Sequence, residues 1–409
     1  MKKSIYLQLS GMMFLEFFVW GAWYVTVGNY MSRIGMSDVI YWAYTVGPIG
    51  AVISPFFLGM VADRFFSTEK VLAVLHLIGG VAMFVAPLAA ESGAAGWFIF
   101  FLLLHMVCYM PTIGLVNALA FHHMTEQEKY FPIIRVFGTI GWIVAGVFVS
   151  AVLGADETGL PLRIAGIAGV VMGVYSYTLP HTPPSPKEHM TVRQVLGLDA
   201  LAQLKSPSFL IFIVSSFLIC IPLSTYYAYA PVFVNFNSIM NPAFKMTFGQ
   251  MSEVLFILLL PFFFRMMRIK WILFVGMFAW VLRYVLFALA APAGIFWMIM
   301  GGIILHGICY DFFFVAGQIY VDKISTREIR GQAQGFLVLM TYGVGMFIGA
   351  QASGWLHNSI VTSTGPDAAS QWQTFWSIPA ALAAIIMIVF GLFFKNTTTS
   401  VSDKASQTA

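Results

Sequence analysis

A handful of ionisable side chains stand inside apolar runs of this chain: Glu16, Arg135, Glu253, Arg283, Asp311 and the histidines His76, His105 and His306. At membrane depth a charged side chain costs about 2.5–3.5 kcal/mol on insertion scales, so each is a candidate for function or for a buried pair. Arg135, in the run FPIIRVFGTIGW, lies at i to Thr139 at i+4 and Trp142 at i+7, which places all three on one helix face. That face offers guanidinium N–H donors, a hydroxyl and an indole. It suits a planar, carbonyl-bearing ligand held at its edge and stacked on its face. A second reading makes Arg135 an interfacial residue, since it begins only a turn into its span.

Gln250 and Glu253, in GQMSEVLF, are i and i+3 on one helix. A carboxylate beside an amide is a receptor for paired hydroxyls such as those of a sugar, or else a polar pair that packs helices. His306 and Tyr310 share a face in LHGICYDFFFVAGQIYV, and Phe314 extends an aromatic wall. Asp311 points about 100° away. An isolated mid-membrane carboxylate can carry a proton; equally, Arg283 in WVLRYVLFA is an obvious partner for it. Glu16 is spaced i, i+4, i+7 with Trp20 and Trp23, as a site residue or a packing anchor. His76 and His105 have no metal-ligand companion and are expected to pack or to hydrogen-bond. The glycines of GVGMFIGAQASG fit close helix contact.

These residues need a helical frame in lipid. Of the 409 residues, 59% are hydrophobic and only 9% charged, and the mean hydropathy is +0.84. Soluble domains carry about 25% charged residues. The chain is therefore expected to be an all-α, polytopic membrane protein. The basic start MKKSIYLQ resembles a signal peptide, but its apolar run continues through Tyr30, so it is read as a retained first helix. Windows of about 19–20 apolar residues place twelve spans near 5–31, 41–62, 70–90, 97–121, 132–154, 162–180, 208–234, 248–266, 271–290, 295–320, 331–355 and 372–395. With both termini cytoplasmic, sixteen of the 21 Lys and Arg residues fall on the inner side and three on the outer. That asymmetry fixes the expected orientation.

The longest polar interruption, 181–207, divides the chain into an N-terminal six-helix half (1–180) and a C-terminal one (208–395), followed by a cytoplasmic tail (396–409). Six spans, a cytoplasmic linker and six more spans is the plan of the major facilitator superfamily, in which two halves rock about a midplane site. Residues 192–204 are expected to form a short amphipathic helix on the inner face. Gly59-Met-Val-Ala-Asp63-Arg64 resembles that superfamily's G-x-x-x-D-R turn, which implies an inner-side gating role for Asp63 and Arg64. Cys108, Cys220 and Cys309 lie within spans and are expected to pack. No metal-ligand cluster, Walker A sequence or nucleophile–base pair is visible, so neither cofactor nor enzymatic activity is expected.

The segments FLEFFVWGAWYVTVGNYM, YMPTIGLVNALAF, FPIIRVFGTIGW, YTLPHTPP, LGLDAL, QMSEVLFILLLPFF, WVLRYVLFA, YDFF, RGQAQGFLVLMT and WQTFW resemble the nucleoside:proton symporter family of that superfamily. The resemblance runs over nearly the whole chain. It implies a nucleoside bound between the halves and imported by proton symport through alternating access. It assigns substrate contacts to Arg135, Thr139, Trp142, Gln250, Glu253 and Tyr310, with Asp311, or Glu253, binding the proton. The chain departs from the pattern at His306, where the family has Tyr, and in the seventh span, where Ser224 and Tyr227 replace the family's Gln and Asn contacts; His306, Ser224 and Tyr227 are therefore also expected to contact the substrate. These departures bear on the choice of nucleobase. The implied partners are nucleoside, protons and the lipid of an inner membrane, with no nucleic acid and a functional monomer. A sugar or oligosaccharide symporter, and more distantly a non-transporting nutrient sensor, are the alternatives.

Overall fold

The computed structural model of the protein describes residues 2–57, 66–124, 126–184, 197–204, 206–326, 329–363, 365 and 367–395. The Asp63–Arg64 motif, much of the linker and the tail after Lys395 lie outside the described residues. A buried apolar run has no water to satisfy its backbone, so each such run satisfies itself as helix. Among the described residues, helices that continue one another with no more than a single turn between them form twelve segments besides the short Leu198–Gln203, near the positions expected from hydropathy. Ten are long and apolar enough to cross a membrane; Leu160–Ser176 is a shorter apolar helix, and Ile40–Phe57 is described over 18 residues.

Local chemistry sets the ends and breaks. Pro207 and Pro242 open their helices, where a missing N–H costs nothing. Gly93, at φ +76°, closes Thr68–Glu91: its amide reaches the Ala90 carbonyl and the Ala94 amide reaches Ala89. This left-handed cap turns the chain at once into Ala95–His122. The first span is not one continuous rod. It is Lys3–Trp23 and Val27–Arg33 with a turn between them. The tenth is broken further, as Phe296–Ile304, His306–Tyr310, a widened π-helical turn Asp311–Val315, and Ala316–Ile324. In the linker the short amphipathic helix is described only as Leu198–Gln203.

The described residues group into two compact units, one drawn from 1–189 and 227–247, the other from 190–226 and 248–409. In the first unit Lys3–Trp23 packs along Gln127–Gly146 and Leu160–Ser176. Gly141 allows the closest approach, because a Cβ there would collide with the Phe14 carbonyl. Gly21 does the same from the other side, where a Cβ would lie 2.9 Å from Trp142 Cα. Gly80 similarly sits against Gly166, with a virtual Cβ 2.8 Å from its carbonyl. Gly141→Val is therefore expected to force the first and fifth helices apart, costing about 1–3 kcal/mol of packing. A lower melting temperature of the detergent-purified protein, with less folded protein recovered, checks this.

Residues 227–247 belong to the first unit through named contacts. Asp156 accepts the Ser150 hydroxyl at 2.7 Å and the Ala243 amide at 2.8 Å, and so satisfies a donor in the first turn of Pro242–Met266. Burial pushes the Asp156 carboxyl up from its usual range, and these two hydrogen bonds pull it back. Asn235 donates to Glu157 at 2.6 Å.

In the second unit Ile269–Ala290 packs on Asp367–Phe393 and on Phe296–Ile304. The glycine-rich stretch makes the close contact its composition implies: virtual Cβ atoms on Gly345 and Gly349 lie within 2.9 Å of Cys220 atoms. All three cysteines are buried and free. Trp97, Trp297 and Trp355, each near a helix end, are exposed, in keeping with tryptophans that lie at a membrane interface.

Candidate functional site

In the first unit Arg135, Thr139 and Trp142 all lie on the helix Gln127–Gly146, half-buried and at the spacing that aligns them. The Arg135 guanidinium lies over the Phe17 ring, 4.1 Å from its centroid. Gly138 provides the room, because a Cβ there would stand 2.7 Å from the guanidinium. Trp142 stands edge-to-face with Trp20 at 5.5 Å and with Tyr24 at 6.1 Å. Tyr24 in turn meets Tyr227 at 5.8 Å and Tyr44 at 5.1 Å. Arg135 and Thr139 thus share a helix face with Trp142, which an aromatic cluster joins to Tyr227 through Tyr24. Ser224 is placed otherwise. It is fully buried and donates to the Met346 carbonyl at 3.0 Å, tying the seventh helix to the eleventh within the second unit.

The second unit brings Glu253, His306 and Tyr310 together. Gln250 and Glu253 are half-buried on Pro242–Met266. His306 is buried, with Nε2 3.7 Å from Glu253 Oε2, and its ring stacks on Tyr226 at 5.4 Å. Tyr310 lies 5.8 Å from His306 and 5.3 Å from Phe314, so the expected aromatic wall is present. Gly307 permits this: a Cβ there would stand 2.5 Å from the Ser252 backbone, next to Glu253.

Arg283 and Asp311 are not brought together as a pair. Arg283 is fully buried, donates from Nε to the Gly302 carbonyl at 3.0 Å, and lies over Tyr226 at 3.9 Å and Trp280 at 4.8 Å. Aromatic faces therefore receive its charge. Asp311 is also fully buried, and neither carboxylate oxygen has a hydrogen-bond partner among the described residues. It begins the π-helical turn and is near enough to Glu253 for the two carboxylates to interact electrostatically. Widened turns of this kind recur at functional positions. Among the described residues no group of three or more His, Cys, Asp or Glu side chains could hold a metal ion.

Residues 1–399 match the profile of the nucleoside H+ symporter family. The chain belongs to that family. Its relatives agree with this membership over nearly their whole lengths. YegT of Escherichia coli (strain K12) is 37% identical over 406 residues, covering 97% of this chain and 95% of that one. The nucleoside permease NupG of the same organism is 31% identical, covering 96% of each chain. Two crystal structures of the nucleoside transporter NupG superpose with TM-scores of 0.87 and 0.85 at 30% identity, covering 96% of this chain and all of the other. A D-xylose–proton symporter superposes at a TM-score of 0.75 with 13% identity, which establishes the shared major facilitator fold alone.

Against this family frame, several residues of the site escaped notice in the sequence. Tyr24 connects Trp142 to Tyr227, with Tyr44 packed on Tyr24, and Tyr226 lies between Arg283 and His306 in the chain of ring contacts. Their signal was faint, since tyrosines in an aromatic-rich membrane chain are common.

Proposed function

We propose that the protein imports nucleosides across a bacterial-type inner membrane by proton symport, as a monomer with both termini cytoplasmic. The observation that carries the proposal is the fifth-helix face, which aligns the Arg135 guanidinium and the Thr139 hydroxyl with Trp142, itself packed on Tyr24. A nucleobase needs both components: donors for its carbonyl edge and aromatic surface for its plane. Arg135 and Thr139 take the edge, and Trp142 and Tyr310 offer stacking faces. Gln250 and Glu253 hold the ribose hydroxyls. Tyr227 and His306 border the base and tune its choice, while Ser224 serves helix packing.

Asp311 is the proposed proton carrier. A carboxyl group without surrounding donors is tolerable when neutral and costly when ionised, and a coupling residue uses that difference. Glu253, beside His306, is the second candidate. Arg283 fixes the ring stack that positions His306, and Asp63 and Arg64 act at the inner gate. The two halves, 1–180 and 208–395, move against each other through the linker 181–207. Uptake of labelled uridine and adenosine into expressing cells, with and without an uncoupler, tests the proposal. Uncoupler-sensitive uptake that excess nucleoside but not free ribose competes away is expected; uptake of neither nucleoside refutes it.

A further inference from the structure

A second ionisable centre lies in the first unit, away from Asp311 in the sequence and unused by the reading above. Glu16 is fully buried. Its Oε2 accepts a hydrogen bond from His76 Nε2 at 2.8 Å, and its Oε1 lies 2.6 Å from Thr112 Oγ1. The Tyr109 hydroxyl donates to the Glu16 main-chain carbonyl at 2.7 Å. Three helices, Lys3–Trp23, Thr68–Glu91 and Ala95–His122, thus converge on one carboxyl group.

The hydrogen count at Thr112 is informative. Its Oγ1 lies 2.6 Å from Glu16 Oε1 and also 2.6 Å from the Tyr109 carbonyl oxygen. A hydroxyl owns one proton to donate. With Glu16 ionised, the single Thr112 proton has to be shared between these two short contacts. With Glu16 protonated, its carboxyl donates to Thr112 Oγ1, and Thr112 donates onward to the Tyr109 carbonyl. Both contacts are then hydrogen bonds, and no bare charge is buried.

Other ionisable and polar groups line the centre. From Thr68–Glu91, His76 faces Glu16 directly. From Ala95–His122 come Tyr109 and, stacked on it at 5.6 Å, His105, which donates from Nδ1 to the Gly79 carbonyl. The fifth helix presents Arg135, one residue along from Glu16 over Phe17, and the sixth presents Tyr175, whose hydroxyl donates to the Gln8 carbonyl. The centre also connects to the substrate face: Tyr109 meets Trp20 edge-to-face at 5.6 Å, and Trp20 meets Trp142 at 5.5 Å.

We propose that Glu16, paired with His76, is a second proton-binding site of the transporter, carried by the first unit. It takes up one proton as the nucleoside loads and releases that proton on the far side, in addition to the one assigned to Asp311. This rests on the symport reading, and the test separates the two. In proteoliposomes with a pH gradient of about one unit, each coupled proton supports about tenfold accumulation. The native protein is expected to reach a limiting accumulation about tenfold above that of E16Q, while nucleoside exchange at symmetrical pH is retained. If the native protein moves no nucleoside, the symport reading fails. If it accumulates nucleoside and E16Q reaches the same limit, or if exchange and accumulation fall together, only this proposal fails. His76→Gln keeps an N–H toward Glu16 but holds no titratable ring. It is expected to move the pH of half-maximal accumulation by about one unit. An unmoved profile overturns the proposal even where E16Q does not fold.

Discussion

Arg135→Ala is expected to weaken nucleoside binding about 100-fold or more while leaving folded protein in the membrane. The expected loss is large because a guanidinium donates charge-assisted hydrogen bonds, each worth about 1.5–3 kcal/mol in a desolvated site. Two such bonds to a base edge put the affinity loss at about 100-fold or more. The fold loses little. Arg135 is half-buried, and its contact with Phe17 is of the kind worth about 0.5–1 kcal/mol at exposed sites. Removing a charge from a span also lightens its cost in the bilayer. Arg135→Lys separates charge from geometry: a point ammonium cannot reproduce the planar fork, so binding is expected to remain weak. Calorimetry or scintillation-proximity binding on purified protein measures both variants. Unchanged affinity in Arg135→Ala would make Arg135 an interfacial residue after all.

Asp311→Asn is expected to preserve exchange and to lower proton-driven accumulation. Asparagine keeps the shape of a protonated aspartate but cannot release a proton. Because one pH unit stores about 1.4 kcal/mol per proton, losing one coupled proton lowers the limiting accumulation about tenfold at that gradient. The burial of Asp311 and its place at the start of the π-helical turn make the substitution local. Equal loss of exchange and accumulation would assign Asp311 a structural role. Glu253→Gln, measured in parallel, tells which of the two carboxylates carries the proton: the variant that accumulates less without losing exchange identifies it.

Much of this was legible in the sequence, and the parts that were not share a cause. Helix positions follow from apolar run length, because lipid offers the backbone no alternative partner. The alignment of Arg135, Thr139 and Trp142 follows from helical periodicity within one element. Partners across elements did not follow. Arg283 and Asp311 stand 28 residues apart on successive spans and invite pairing, yet the arginine turns to Tyr226 and Trp280. Charge complementarity in a sequence does not say which helix faces meet. Glu16 and His76 were each visible as isolated oddities, and only packing across a 60-residue separation makes them one centre. The grouping of 227–247 with the first unit is supported by a buried aspartate in a short loop, Asp156, whose donor partners Ser150 and Ala243 have no periodic signature.

The most direct test of symport is the proton movement that accompanies nucleoside entry. With purified protein in lightly buffered proteoliposomes and no imposed gradient, external nucleoside is added while external pH is recorded. Alkalinisation of the medium in fixed proportion to the nucleoside taken up, abolished by an ionophore that equilibrates protons, is the predicted result. Nucleoside entry with no change in external pH would contradict proton symport.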